Sequence, residues 1–197
     1  MKNVFLITLL CLSLSGFGQK LKLTEGDVSV LKGQKAVRTE FTYDNMSVGK
    51  FANEADYIAQ KKADYNKKEP GSGDTWEQKW VSDRKERFEP QFRELFNEYG
   101  KISTVGDDSP YTLIFKTVKT EPGWNIGISR APAYIDAEVW IVDSKDKNKI
   151  YAKITITKAP GRDAMGYDFE TGARLQEAYA KSGKELWQYS HPLPDNI

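Results

Sequence analysis

The chain has 197 residues, 29 basic against 28 acidic side chains, and one cysteine, Cys11. So even a balance argues against nucleic-acid binding, where phosphate contacts demand a basic surplus. A single cysteine excludes an internal disulfide, and its place in the leader removes a thiol nucleophile and cysteine-held zinc from the rest of the chain.

The leader reads MKNVFLITLLCLSLSGFGQK. Lys2 gives a positive start, Val4 to Leu14 an apolar stretch, and Gly16 and Gly18 the small residues ahead of a cut. This is the pattern of a secretory signal peptide over residues 1–18, too short to span a membrane, with Gln19 as the new N-terminus. Cys11 lies inside the apolar stretch and not after it, so it is not read as a lipid-anchor site. The expected location is periplasmic or extracellular. Residues 19–190 are read as one domain and 191–197 as a flexible tail; no second apolar segment is long enough to span a membrane.

Ala36–Tyr43, AVRTEFTY, alternates as a strand, with Val37, Thr39, Phe41 and Tyr43 on one face. Asp44-Asn45 is turn chemistry. A helix is expected over Asn53–Lys67, with Ala55, Ile58, Ala59 and Lys62 on one stripe and Lys61, Lys62, Lys67 and Lys68 on a solvated face. After the break at Glu69–Asp74, a second helical region should begin with Asp74 or Thr75 as its cap. Trp76, Trp80, Phe88, Phe92, Leu95 and Phe96 form its apolar stripe, read as core. Pro90 predicts a kink or a fresh helix start, and Gly100 a C-terminal stop.

Three strands follow: Tyr111–Val118, Tyr134–Val142 and Lys149–Thr157. The last two are aligned by placing Ile141 opposite Ile150, which also sets Trp140 opposite Tyr151 and Glu138 opposite Lys153. One face is then aliphatic, and a one-residue slip would expose it. A last helix is expected from Asp168 to Trp187, with Phe169, Gly172, Leu175, Ala178, Tyr179 and Leu186 inward. Glu170–Arg174 and Glu177–Lys181 are its four-apart pairs, and Gly183 weakens it. The predicted fold is an α+β two-layer sandwich in the order β-α-α-β-β-β-α: about four strands, mostly antiparallel, with helices on one face.

The phrases EPGWNIGISRAPA, from Glu121, and RLQEAYAKSGKEL, from Arg174, resemble a group of uncharacterised exported proteins of Bacteroidetes-type bacteria. The element order is more distantly similar to envelope lipoprotein domains such as the curli-secretion lipoprotein. That resemblance implies a role in assembly rather than catalysis. It brings no functional residue across, and the lipid-anchor cysteine of those domains is missing here.

His191 is the only histidine, and on a loose tail it cannot serve as a catalytic base, so it is read as a surface residue. Asp136 and Glu138 fall on the wet face of the sheet, and no cleft marks the facing carboxylates of a glycosidase. Asp143–Asn148, DSKDKN, lacks the glycine and glutamate of a calcium loop, so no metal or cofactor is expected. No glycine-rich phosphate loop has the required spacing. What remains is the long connection of residues 119–133, with Trp124 and Arg130 between glycines and prolines. Trp124, Arg130, Trp140 and Tyr151 are the candidate binding residues, since tryptophan and arginine are enriched at interface hot spots. The expected function is an exported, non-catalytic envelope module that binds a protein partner or itself. The alternatives are a small-ligand or glycan binder using the same aromatics and a carboxylate-based hydrolase.

Overall fold

The computed structural model describes residues 19–104, 108–125, 130–161 and 171–191; the leader and residues 192–197 lie outside them. Within them the chain is the expected α+β arrangement, with extra strands. In chain order it has β1 (Lys20–Gly26), a short 3-10 turn (Val28–Leu31), β2 (Arg38–Thr42), β3 (Ser47–Val48), α1 (Glu54–Lys68) and α2 (Ser72–Asp83). A π turn (Arg84–Phe88), α3 (Glu89–Gly100), β4 (Tyr111–Glu121), β5 (Trp124–Asn125), β6 (Arg130–Ala131), β7 (Tyr134–Asp143), β8 (Ile150–Pro160) and α4 (Thr171–Ser190) follow.

The main sheet runs β1-β8-β7-β4-β2, with β3 continuing alongside β4 beyond β2. Its ladders are antiparallel except those of β2 and β3 on β4, which are parallel. The first strand, β1, is absent from the sequence reading, because KLKLTEG sits directly after the expected cleavage point and is too short to stand out. Leu21 and Leu23 nonetheless pack on the core.

β7 and β8 pair two residues away from the expected register: Ile141 faces Ala152, Val139 faces Ile154, and Ala137 faces Ile156. A shift of two leaves every side chain on its predicted face, so pattern alone does not distinguish the two alignments. Bulges near Ala137 and Val142 absorb the difference at the strand ends. Ile135, Ala137, Val139, Ile141, Ala152, Ile154 and Ile156 are all buried, as the alternation requires.

α3 and α4 cover that face. Phe88, Phe92 and Phe96 are buried, confirming the aromatic stripe as core. Pro90 sits at the start of α3, preceded by the π turn, in which the Glu89 N–H reaches back five residues to the Arg84 carbonyl. α2 begins at Ser72, earlier than expected; Gly71 takes the left-handed conformation, and Asp74 pairs with Lys62 of α1 at 2.7 Å instead of capping. The α1 stripe also differs: Tyr57 is buried against Trp76 and Trp80, while Ala55 and Ala59 are exposed. α3 closes through Lys101 at φ 47, one residue past Gly100. The expected Glu177–Lys181 pair is present at 3.5 Å, whereas Phe169 and Glu170 lie outside the described residues.

Gly183 is more than a weak point in α4. A Cβ there would stand 2.3 Å from the Phe92 carbonyl oxygen, so its absence lets α4 touch the backbone of α3. Gly183→Ala should therefore destabilise the protein by about 1–3 kcal/mol, the usual cost of overpacking. Urea denaturation measures this; an unchanged midpoint would mean that the two helices have room to spare.

Candidate functional site

The described part of the connection after β4 is held at its root. β4 runs on to Glu121, Pro122-Gly123 turn the chain, and β5 and β6 form a two-stranded hairpin in which Trp124 faces Ala131 and Asn125 faces Arg130. Gly123 has φ 65, and a Cβ on it would lie 2.7 Å from both the Ala131 carbonyl and the Ala133 amide, so only glycine fits.

Arg174 of α4 fixes the root of this hairpin. It is only 4% exposed, and its Nε and Nη2 donate to the Pro122 carbonyl at 3.2 and 3.1 Å. Nη2 also reaches the Gly123 carbonyl at 3.5 Å and the Thr171 hydroxyl at 3.2 Å. A buried guanidinium needs acceptors, and these neutral carbonyls supply them. Above this anchor the Trp124 side chain is 43% exposed. The Arg130 side chain lies outside the described residues.

Trp140 and Tyr151 do not join it. Trp140 faces Lys153 across the ladder, with the Lys116 ammonium 3.9 Å and the Lys153 ammonium 4.9 Å from its ring centre. Its Nε1 donates to Glu138 at 3.1 Å. Tyr151 sits at the β8 bulge and packs partly against the core, edge-on to Tyr111 at 5.1 Å, with its hydroxyl donating to Asp143 at 3.2 Å. The expected Trp140–Tyr151 pair is thus replaced by lysine–tryptophan and tyrosine–tyrosine contacts. Trp140 is also six residues along β7 from Tyr134, where the hairpin rejoins the sheet, a strand distance of about 20 Å. Trp140 and Tyr151 therefore lie apart from Trp124 on the described structure.

The carboxylates on that face are likewise engaged. Lys153 binds Glu25 of β1 at 2.6 Å rather than Glu138, and Asp136 accepts the Lys158 N–H at 2.7 Å. In the 143–148 connection, Asp143 accepts the N–H groups of Lys145 and Asp146, and these bonds hold its carboxyl below the usual range.

A second polar cluster lies beneath β2 and was not legible in the sequence. Glu54 of α1 accepts from Trp80 Nε1 at 2.6 Å and from Arg84, whose guanidinium stacks 4.5 Å over the Tyr43 ring. Glu89, 2% exposed, is held by Lys85 at 2.9 Å and Arg93 at 3.3 Å, and Asp83 by Arg87 at 2.9 Å. Burial pushes the Tyr43 phenol far above its ordinary range. Next to this cluster is an open cavity of about 520 Å³ lined by Phe41, Tyr43, Asp44, Asn53, Glu54 and Arg84, among others. The four-residue spacing of Trp80 and Arg84 is visible in the sequence; their meeting with Glu54 is not. Arg174 left a better trace, as a charge four residues before Ala178 on the buried side of α4.

No family model matches the chain, and no curated protein matches it. Among solved structures it is similar to a PelC dodecamer from Paraburkholderia phytofirmans, at 11% identity over 86% of this chain and 98% of that one, with a TM-score of 0.42. It is also similar to protein XCC0632 from Xanthomonas campestris, at 14% identity over 79% of this chain and 81% of that one, with a TM-score of 0.37. Likeness at this level carries no residue role across. Among the described residues no helix is long and apolar enough to cross a membrane.

His191 is not on a loose tail. Its ring stacks on Trp187 at 3.6 Å, and its N–H donates to the Trp187 carbonyl at 3.0 Å. Burial, the main cause, lowers its pKa below the ordinary 6.5. The unfolded chain then binds the proton more tightly, so this contribution is present above pH 6.5 and is lost as pH falls toward the folded value. Melting temperature should fall on acidification from pH 7 to 5 more steeply for the native protein than for His191→Phe. Parallel curves would mean that the histidine is neutral to the fold.

Proposed function

We propose that this protein is an exported, non-catalytic envelope module that binds a protein partner or a second copy of itself through the Trp124 hairpin. One observation carries the reading: Trp124 is 43% exposed on a turn whose carbonyls are clamped by a buried arginine. A large aromatic side chain on a rigid support loses little conformational freedom on docking, which is what favours such residues as interface anchors. Export rests on the leader pattern of residues 1–18.

The glycan reading is weaker at Trp140, where two lysine ammonium groups already sit over the ring that a sugar would need. At Trp124 it remains the rival, since an exposed indole also suits sugar stacking. For a hydrolase, two facing acids with perturbed pKa values are needed. The buried acids Asp83 and Glu89 are instead tied to Arg87, Lys85 and Arg93, an arrangement suited to holding helices in place.

Trp124→Ala should abolish capture of partners from the native envelope, or dissociation-sensitive self-association in sedimentation runs, while moving the melting temperature by only a few degrees. Trp140→Ala should leave association unchanged. Association that survives Trp124→Ala rejects the hairpin as the contact. Quenching of Trp124 fluorescence by envelope polysaccharide would favour the glycan reading instead.

A further inference from the structure

β1 starts with almost no lead-in. Its ladder on β8 opens at Lys20, opposite Thr157, and Leu21 and Leu23 already pack on the core. Gln19 stands one residue ahead of that ladder and is half-buried. Both polar atoms of its side-chain amide are screened from solvent, and neither has a hydrogen-bond partner among the described residues. No other described side-chain amide has both atoms in this state. A buried amide left unpaired is unfavourable.

The leader pattern makes this position chemically distinct. Cleavage after Gly18 turns the Gln19 nitrogen from an amide into a primary amine. An ordinary α-amine titrates at about 7.7–8.0, so part of it is unprotonated near neutral pH. That amine then shares one residue with an unengaged carboxamide, and closure through the side chain gives a lactam ring of proline's size. Groups tethered this closely react without a diffusive encounter. Charge favours the same outcome. A new α-ammonium would join Lys20, next in the chain, and Lys158, which follows Thr157 on β8. Asp136, which accepts the Lys158 N–H at 2.7 Å, is a carboxylate at this end of the sheet. The lactam carries no charge and leaves far fewer N–H groups to satisfy.

We propose that Gln19, once freed by removal of the leader, closes on itself to pyroglutamate, so that the mature chain begins with a neutral lactam at the head of β1. The α-nitrogen bonds to Cδ, the Cδ–Nε2 bond breaks, and Nε2 leaves as ammonia with the proton that the amine gives up. No oxidant, reductant or other reactant is consumed. The inference rests on the export reading, because only cleavage after Gly18 exposes that amine. It does not involve the Trp124 hairpin. The product has no primary α-amine, the group that aminopeptidases grip, so an exported chain closed in this way resists trimming from its start.

The test uses the full chain, expressed with its leader in an exporting bacterial host and recovered from periplasm and medium. Intact mass should equal that of residues 19–197 less one ammonia, and fragmentation of the N-terminal peptide should place the loss on residue 19. Stepwise N-terminal sequencing should be blocked, and pyroglutamyl aminopeptidase should lift the block so that Lys20, Leu21 and Lys22 are read. Gln19→Asn, whose side chain is one carbon too short for an unstrained ring, should keep its full mass and sequence directly. A chain that begins at Gln19 with full mass and a free amine overturns the inference and leaves the export reading standing. A retained leader overturns both. A cut at another position, or an ammonia loss elsewhere in the chain, overturns the inference.

Discussion

Tyr179 is where the three parts of the domain meet. Its ring lies flat on Phe88 of the π turn, 4.8 Å away and nearly parallel, and tilts against Phe115 of β4 at 5.6 Å. Its hydroxyl shares a 2.8 Å hydrogen bond with Thr117. The residue is 1% exposed, so the hydroxyl must find a protein partner, and Thr117 is the group that answers it. Burial raises the phenol pKa above the ordinary value of 10.0. Through this one side chain α4, the irregular turn before α3 and the central strand are placed relative to one another.

The other features follow from that placement. With α4 held on the sheet, Gly183 reaches the α3 backbone and Arg174 reaches the Pro122 carbonyl from the opposite end of the helix. The π turn brings Arg84, Lys85 and Arg87 close to Glu54, Glu89 and Asp83. It accommodates Pro90, which has no N–H to give the preceding turn. A buried ion pair contributes little net stability compared with an apolar pair, but removing one partner is costly. Such pairs therefore specify how the helices pack more than how tightly they hold. They also leave Arg84 partly solvent-accessible, stacked over the Tyr43 ring.

Much of this was legible from side-chain alternation. The aliphatic faces of β7 and β8, the aromatic stripe of α2 and α3, and the described inward residues of α4 lie where the pattern places them. The register between β7 and β8 did not, because pattern is blind to a shift of two residues and bulges are set by the packing around them. For the same reason the pattern sets Trp140 opposite Tyr151, where the structure sets it opposite Lys153. Tyr151 is drawn toward Tyr111 and Asp143 at the sheet end, and Trp140 is covered by lysines from the two neighbouring strands. Nearness to the terminus suggests a loose His191, but the Trp187 ring one helical turn earlier decides its position.

Sequence alone determined the leader pattern, the near-neutral charge, the lack of cysteine chemistry beyond residue 18, and which face of each main strand is apolar. These depend on composition and on the two-residue and 3.6-residue periods of the chain, which are local properties. Tertiary structure decided which distant groups meet: Arg174 with Pro122, Glu54 with Trp80 and Arg84, and Arg84 with the Tyr43 ring. Each joins residues from separate elements, some more than fifty positions apart, and no local period encodes such a meeting. Only the packing of helices on the sheet brings them within hydrogen-bond distance.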